Sequence, residues 1–348
     1  MRIGIVGHIG GNKNFVDGQT VKVKSLVYAM IKHAPMIKLD IVDTYYLRKN
    51  PIRFFRTLLG CLVRCKKIIF FPAYTGRRYM FKFFYWVKKF TGKKFYHDCI
   101  AGSLDKELMQ HPEWLKYLNT FCVNWMESPS QVERLEKMGV KNVSYLPNFK
   151  PLEQIDISMI KEEKGFPKRF VVFSRVEEKK GIEDAVVAIS KINENAGSLR
   201  ATLDIYGPIQ SGSEDWFKSI IERYADIACY KGVVGPYESV HAIKDYFALL
   251  FPTQYYTEGM PGTIVDAMFA GIPVICRRWA WCDSMIRSGY NGISYDFDKP
   301  ELLREILERV INNPDEIVNM KGNCIKESEK YSERTVINKI MRDLLMLE

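Results

Sequence analysis

Short apolar runs alternate with stretches whose apolar residues recur every three or four positions along nearly the whole chain. The runs Arg2–Gly7 (RIGIVG), Leu39–Val42, Ile68–Phe71, Phe95–Ile100, Phe121–Asn124 and Val143–Leu146 read as strands of a parallel sheet, whose strands are buried on both faces. Between them, helical spacing appears at Val21, Leu26, Val27, Met30 and Ile31, at Ile52, Phe55, Leu59 and Leu62, across Arg77–Phe90, and across Ser130–Met138. The alternation breaks over the Pro-, Lys- and Glu-rich stretch 148–168, read as a linker, and resumes at Phe170–Phe173. Further strands are predicted at Ala201–Tyr206, Cys229–Val233, Leu249–Phe251, Ile272–Cys276 and Gly292–Tyr295, with helices at Ile182–Ile192 and over 300–312, 314–330 and 332–347. Strand and helix in strict alternation imply an α/β fold. The break places one domain at 1–150 and a second at 151–331, with a closing helix at 332–348.

A chain of 348 residues, 47% apolar and 26% charged, is long enough for two such cores. Nothing at the start, MRIGIVGHIGG, resembles a signal peptide, and no apolar run approaches the ~20 residues of a membrane span. Eight cysteines without a CxxC pair and five histidines that never join them argue against a metal enzyme and for reduced thiols in the cytosol. The net charge of +10 is uneven: Thr44 to His97 holds fourteen Lys and Arg and no acid, so the remainder carries −4. Basic and aromatic residues mix in Arg77–Phe90 (RRYMFKFFYWVKKF), a pattern of interfacial helices, which equally describes a solvated basic face over core aromatics.

The chemistry concentrates in Pro252–Arg277 (PTQYYTEGMPGTIVDAMFAGIPVICR). Glu258 and Asp266 flank a Gly259-Met260-Pro261-Gly262 turn that opens an apolar helix. Free amides of Gly262, Thr263 and Ile264 at its start would form an anion site, and a loop Glu with a first-turn Asp would accept from sugar or ribose hydroxyls. The same stretch also reads as a core helix whose acids complement its dipole. In SRVEEKKG, Arg175 follows a strand and Lys180 precedes a helix, which brings a guanidinium fork and a point charge to one crevice, a pair suited to a diphosphate. Gly10 and Gly11 follow the first strand without GxGxxG spacing, and His97 sits near the carboxyl end of another, where α/β sheets bind ligands.

Together these motifs, with the N-terminal GHIGG…DGQT glycines, resemble the retaining glycosyltransferases of family 4 over nearly the whole chain, most strongly from Phe170 to Tyr295. The resemblance implies the GT-B fold, two Rossmann-like domains facing across a cleft. It implies that the second domain binds a UDP- or GDP-sugar, with Arg175 and Lys180 on the diphosphate and Gly259, Met260, Pro261, Gly262 and Thr263 around phosphate or sugar. Glu258 would hold hydroxyls of the transferred sugar, Gly10 and Gly11 would approach the phosphates, and His97 would lie near the reacting sugar. Asp266 stands where the family has a second Glu on the ribose, one methylene longer. The implied catalytic set is Glu258, His97, Arg175 and Lys180, with no metal and no cofactor beyond the donor.

The leading expectation is a retaining hexosyltransferase that acts on a lipid-linked glycan in cell-surface polysaccharide synthesis. It would be cytoplasmic and peripheral on the inner membrane face, held to anionic lipid through segment 44–97. A GT-B epimerase or phosphorylase is the alternative enzyme. A nucleic-acid-binding protein is disfavoured because the basic residues lie in one half of a two-domain enzyme pattern with no recognisable module; a non-catalytic sugar-binding relative is the remaining class.

Overall fold

The computed structural model describes residues 1–11, 13, 18–100, 103–149, 151–159, 165–235 and 237–346. The chain divides into two compact units, Met1–Pro151 with Lys330–Glu348, and Leu152–Glu329. Each is built on a six-stranded, all-parallel sheet, giving two Rossmann-like domains.

The first unit runs β1 (Arg2–Gly7), α1 (Gly18–His33), β2 (Lys38–Asp43), α2 (Tyr46–Lys49), α3 (Pro51–Arg64), β3 (Lys67–Phe70), α4 (Tyr74–Thr91), β4 (Lys94–Asp98), α5 (Leu104–Gln110), α6 (Trp114–Leu118), β5 (Val123–Met126), α7 (Pro129–Lys137) and β6 (Val143–Tyr145). Strand order is β2-β1-β3-β4-β5-β6. β1, β3 and β4 are buried almost throughout because helices cover both faces, which is why they read as continuous apolar runs. One face carries Phe70, Phe95 and the inner residues of α3 and α4; the other carries Ile3, Ile5 and Tyr96 under α1.

The second unit runs β7 (Lys168–Phe173), α8 (Ile182–Ala196), β8 (Ala201–Tyr206), α9 (Glu214–Arg223), β9 (Ala228–Gly232), α10 (Ser239–Ile243), β10 (Ala248–Phe251), α11 (Gly262–Phe269), β11 (Val274–Arg277), β12 (Gly292–Tyr295), α12 (Leu302–Asn312) and α13 (Asp315–Ser328). Its order, β12-β11-β10-β7-β8-β9, reverses direction between β7 and β10. The carboxyl ends of β7 and β10 therefore mark a topological switch point, the place where open α/β sheets bind ligands.

The last helix, α14 (Glu333–Met346), belongs to the first unit. Val336, Ile337, Ile340 and Leu344 complete the core over Val23, Leu26 and Met30 of α1. Lys67 Nζ donates to the Leu344 carbonyl (2.7 Å), and Trp125 Nε1 to Asp343 Oδ2 (2.7 Å).

Two local readings differ. The helix over 51–63 forms, but its sheet-facing residues are Phe54, Leu58 and Cys61, whereas Ile52, Phe55 and Leu59 point to solvent and Leu62 is partly buried. Both rows have helical spacing, so periodicity alone does not choose between them. The strand read at Phe121–Asn124 begins at Val123; Phe121 is a core residue just ahead of it.

Candidate functional site

Glu258 and Lys180, seventy-eight positions apart, meet because β7 and β10 are neighbours and each delivers one of them just beyond its carboxyl end. Behind β7, a 3-10 turn (Glu178–Lys180) ends at Gly181 with φ +71°. A Cβ there would stand 2.1 Å from the Pro252 carbonyl oxygen, so glycine alone permits this approach of the two loops. The Gln254 amide fastens them by donating to the Lys179 carbonyl (2.8 Å).

Lys180 Nζ donates to Glu258 Oε2 (2.7 Å), and the Thr253 hydroxyl donates to the same oxygen (3.2 Å). Both charged side chains are mostly but not wholly buried, so the pair is held firmly and remains reachable. An ammonium has three N–H groups, and this one also lies 5.0 Å from the Tyr255 ring centroid. Donors are therefore left for a second anion. Tyr255 OH donates to Glu177 Oε2 (3.0 Å); burial raises this phenol's pKa, and Glu177 adds to the effect. Arg175 Nη1 lies 3.9 Å from Glu177 Oε1 and donates to Gln210 Oε1 (3.4 Å), with most of the guanidinium open to solvent. The two expected cations thus stand on one aromatic-lined surface, linked through Glu177 and Tyr255.

Just downstream, Pro261 caps α11 in an extended conformation. The Ile264 amide closes onto the Pro261 carbonyl (3.1 Å), so the anion-facing amides reduce to Gly262 and Thr263. Thr263 Oγ1 is buried with no hydrogen-bond partner among the described residues. A buried hydroxyl costs free energy when unsatisfied, and one at a helix N-terminus suits an oxyanion. Met260 is buried, while Gly259 has open space where a side chain would stand.

Asp266 is not a first-turn acid. It lies in the second turn of α11, fully buried, and the first turn holds no acid at all. It has no surface to offer a ribose in this arrangement.

Gly10 and Gly11 adopt left-handed φ values of 89° and 60°, as a tight glycine turn requires. Their amides are not free for a phosphate. The Asp43 carboxylate, at the end of β2, takes Ile9 N (2.9 Å), Gly10 N (3.3 Å) and Gly11 N (2.7 Å), as well as Tyr45 N (3.0 Å). An internal carboxylate occupies the anion cradle.

His97 sits on β4 but is fully buried, stacked on Phe70 and edge-on to Phe81, with Nδ1 3.0 Å from Asn124 Oδ1. Burial, with Arg77 adding repulsion, lowers its pKa to about 3. The residue expected beside a reacting sugar is a neutral core imidazole. An unfolded His protonates near 6.5, so this side chain contributes stability that is complete above that pH and lost as pH falls toward 3. Stability should accordingly fall by up to about 1.4 kcal/mol per pH unit across that window from this group alone. His97→Gln should remove that slope in urea titrations; an unchanged slope would contradict the buried placement.

The carboxyl end of the first sheet also holds charges that nothing in the sequence announced. Lys22 of α1 is fully buried and reaches Asp98 (2.5 Å), Glu127 (2.8 Å) and the Cys99 carbonyl (3.3 Å). Burial opposes its charge, but the two carboxylates prevail and hold its pKa above normal. Burial pushes Asp98 up to about 6 against the pull of Lys22. Arg77 of α4, equally buried, pairs with Glu107 (2.5 Å) and donates to the Ile100 carbonyl. Two buried cations therefore grip successive carbonyls of the loop leaving β4.

Residues 154–331 match the family model described as glycosyl transferases group 1. No curated protein matches the sequence. Among solved structures, the chain is similar to HepE of Anabaena in complex with UDP and glucose, at 12% identity over 99% of each chain with a TM-score of 0.69. It is similar to the lipopolysaccharide outer core galactosyltransferase WaaB in its apo form, at 17% identity over 99% of each chain with a TM-score of 0.69. Sucrose-phosphate synthase of Thermosynechococcus elongatus matches at 13% identity over 100% of both chains, with a TM-score of 0.71. At these identities the likeness fixes the fold, which is GT-B.

Proposed function

The chain belongs to the glycosyl transferases group 1 family, and from that premise we propose that it is a retaining glycosyltransferase whose donor site is built on Lys180, Glu258 and the N-terminus of α11. The observation that carries the reading is the Lys180–Glu258 pair at the reversal point of the second sheet, followed in the chain by the Thr263 hydroxyl, which is buried with no partner among the described residues. In this reading Lys180 and Arg175 hold the donor's diphosphate, and Gly262, Thr263 and the Thr263 hydroxyl take a phosphate oxygen. Glu258 accepts from hydroxyls of the transferred sugar, in a loop continued by Gly259, Met260 and Pro261.

As the sugar leaves, positive charge develops on its ring and negative charge on the diphosphate. Cations and amides already in place stabilise the latter without reorganising. The acceptor oxygen forms a bond to the anomeric carbon on the face from which the diphosphate departs, and the acceptor proton passes to a donor phosphate oxygen. Arg175 and Lys180 supply the charge that a metal supplies elsewhere. The proposed acceptor is a hydroxyl of a lipid-linked glycan in surface polysaccharide synthesis, which places the work at the inner membrane face.

A panel of UDP- and GDP-sugars tests this. The true donor should raise the unfolding temperature, since ligand at 100 times Kd adds about 2.7 kcal/mol, and should slowly release nucleoside diphosphate. Thr263→Val should weaken nucleoside diphosphate binding by about tenfold, the worth of one good hydrogen bond. If no nucleotide sugar stabilises the protein or turns over, the proposal fails; conversion to an epimer without acceptor would point to an epimerase.

A further inference from the structure

Two adjacent helices of the first unit bury one side and leave a second apolar row facing water. On α3, Phe54, Leu58 and Cys61 pack on the sheet, while Ile52 (83% exposed), Phe55, Leu59 and Val63 (81%) form an outer row at spacings of three and four. That row runs about 16 Å along the helix. On α4, Phe81 and Phe84 face the same core, while Tyr79, Phe83, Trp86 and Phe90 (81%) form the outer row. Trp86 and Phe90 stack on each other, with centroids 5.8 Å apart. Exposed apolar rows on two helices that cover the same face of the sheet mark an interaction surface.

The charge around these rows selects the partner. Segment 44–97 has no acidic residue, and Arg56, Arg78 and Lys82 stand exposed beside the apolar side chains. A second copy of the chain would bring this positive field against itself, which costs free energy at any self-complementary interface. An anionic bilayer meets both demands, with acidic headgroups for Lys and Arg and hydrocarbon for the rows beneath.

We propose that α3 and α4 together form a membrane-docking face, with the outer rows entering the headgroup and acyl boundary of an anionic leaflet. The inference rests on the reading of a membrane-side acceptor and names the surface that reaches it. Vesicle binding and sugar transfer are measured separately, so either can fail alone.

The test is co-sedimentation with vesicles of phosphatidylcholine with and without phosphatidylglycerol, at about 0.1 M salt. Binding should be at least about tenfold stronger to the anionic vesicles, and Trp86 emission should shift to the blue, a shift that Trp86→Phe removes. Leu59→Asn with Phe90→Asn should weaken binding by about tenfold or more. Its unfolding temperature and donor hydrolysis in the absence of vesicles should not change, because both residues are exposed. No binding to anionic vesicles overturns the proposal. So does binding that the double variant leaves intact, since that leaves only a charge contact. A dimer in sedimentation equilibrium that the same substitutions abolish, without vesicle binding, would assign the face to a second copy.

Discussion

Lys180→Ala is expected to lower kcat/KM for sugar transfer by about 10²–10³-fold, the usual loss when one preorganised partner of a developing charge is removed. The substitution acts twice. It removes positive charge from where the diphosphate would accumulate negative charge, and it releases Glu258, whose Oε2 is otherwise shared between Lys180 Nζ and the Thr253 hydroxyl. Glu258→Gln should cost a comparable factor. The double variant should be little worse than either single one, because residues acting as a unit are not additive. Initial rates with the identified donor measure the effect, and urea titration checks the fold. A loss below about tenfold with the fold intact would remove the pair from the site.

Lys22→Met should destabilise the protein by about 3–5 kcal/mol, the range for breaking a buried ion pair from one side. Asp98 and Glu127 would then face each other without the ammonium that separates them. Asp98 already has its pKa raised to about 6 by burial. The folded state therefore binds its proton more tightly than the unfolded chain, and this group's unfavourable contribution grows as pH rises from near 4 through 6. The variant should accordingly recover part of its loss when titrated with urea at pH 5 rather than 7.5. A loss under about 1 kcal/mol at pH 7.5 would mean that the cluster is hydrated rather than buried.

Much of the fold was legible in the chain. Parallel strands covered on both faces carry continuous apolar runs, and those inside β1, β3, β7 and β10 announce these strands. The places of Arg175, Lys180 and Glu258 just beyond strand ends were legible too, because each follows a strand that periodicity places. The short helices α2, α5 and α6 were not, since at 4, 7 and 5 residues they hold too few turns to set a period.

What the sequence determined by itself is the alternation of elements, and with it which residues stand at the carboxyl ends of strands. Tertiary structure alone decided how far each was exposed and what had already claimed it. Gly10 and Gly11 have the backbone of an anion cradle, yet Asp43 from the neighbouring strand fills it. His97 and Asp266 occupy positions that suggest ligands, yet both are buried. On α3, two rows with the same spacing were offered, and the sheet took one and left the other to solvent. The physical reason is common to all three. Local periodicity fixes the direction of a side chain relative to its own helix or strand, whereas burial and pairing depend on residues tens of positions away that only the assembled sheet brings near.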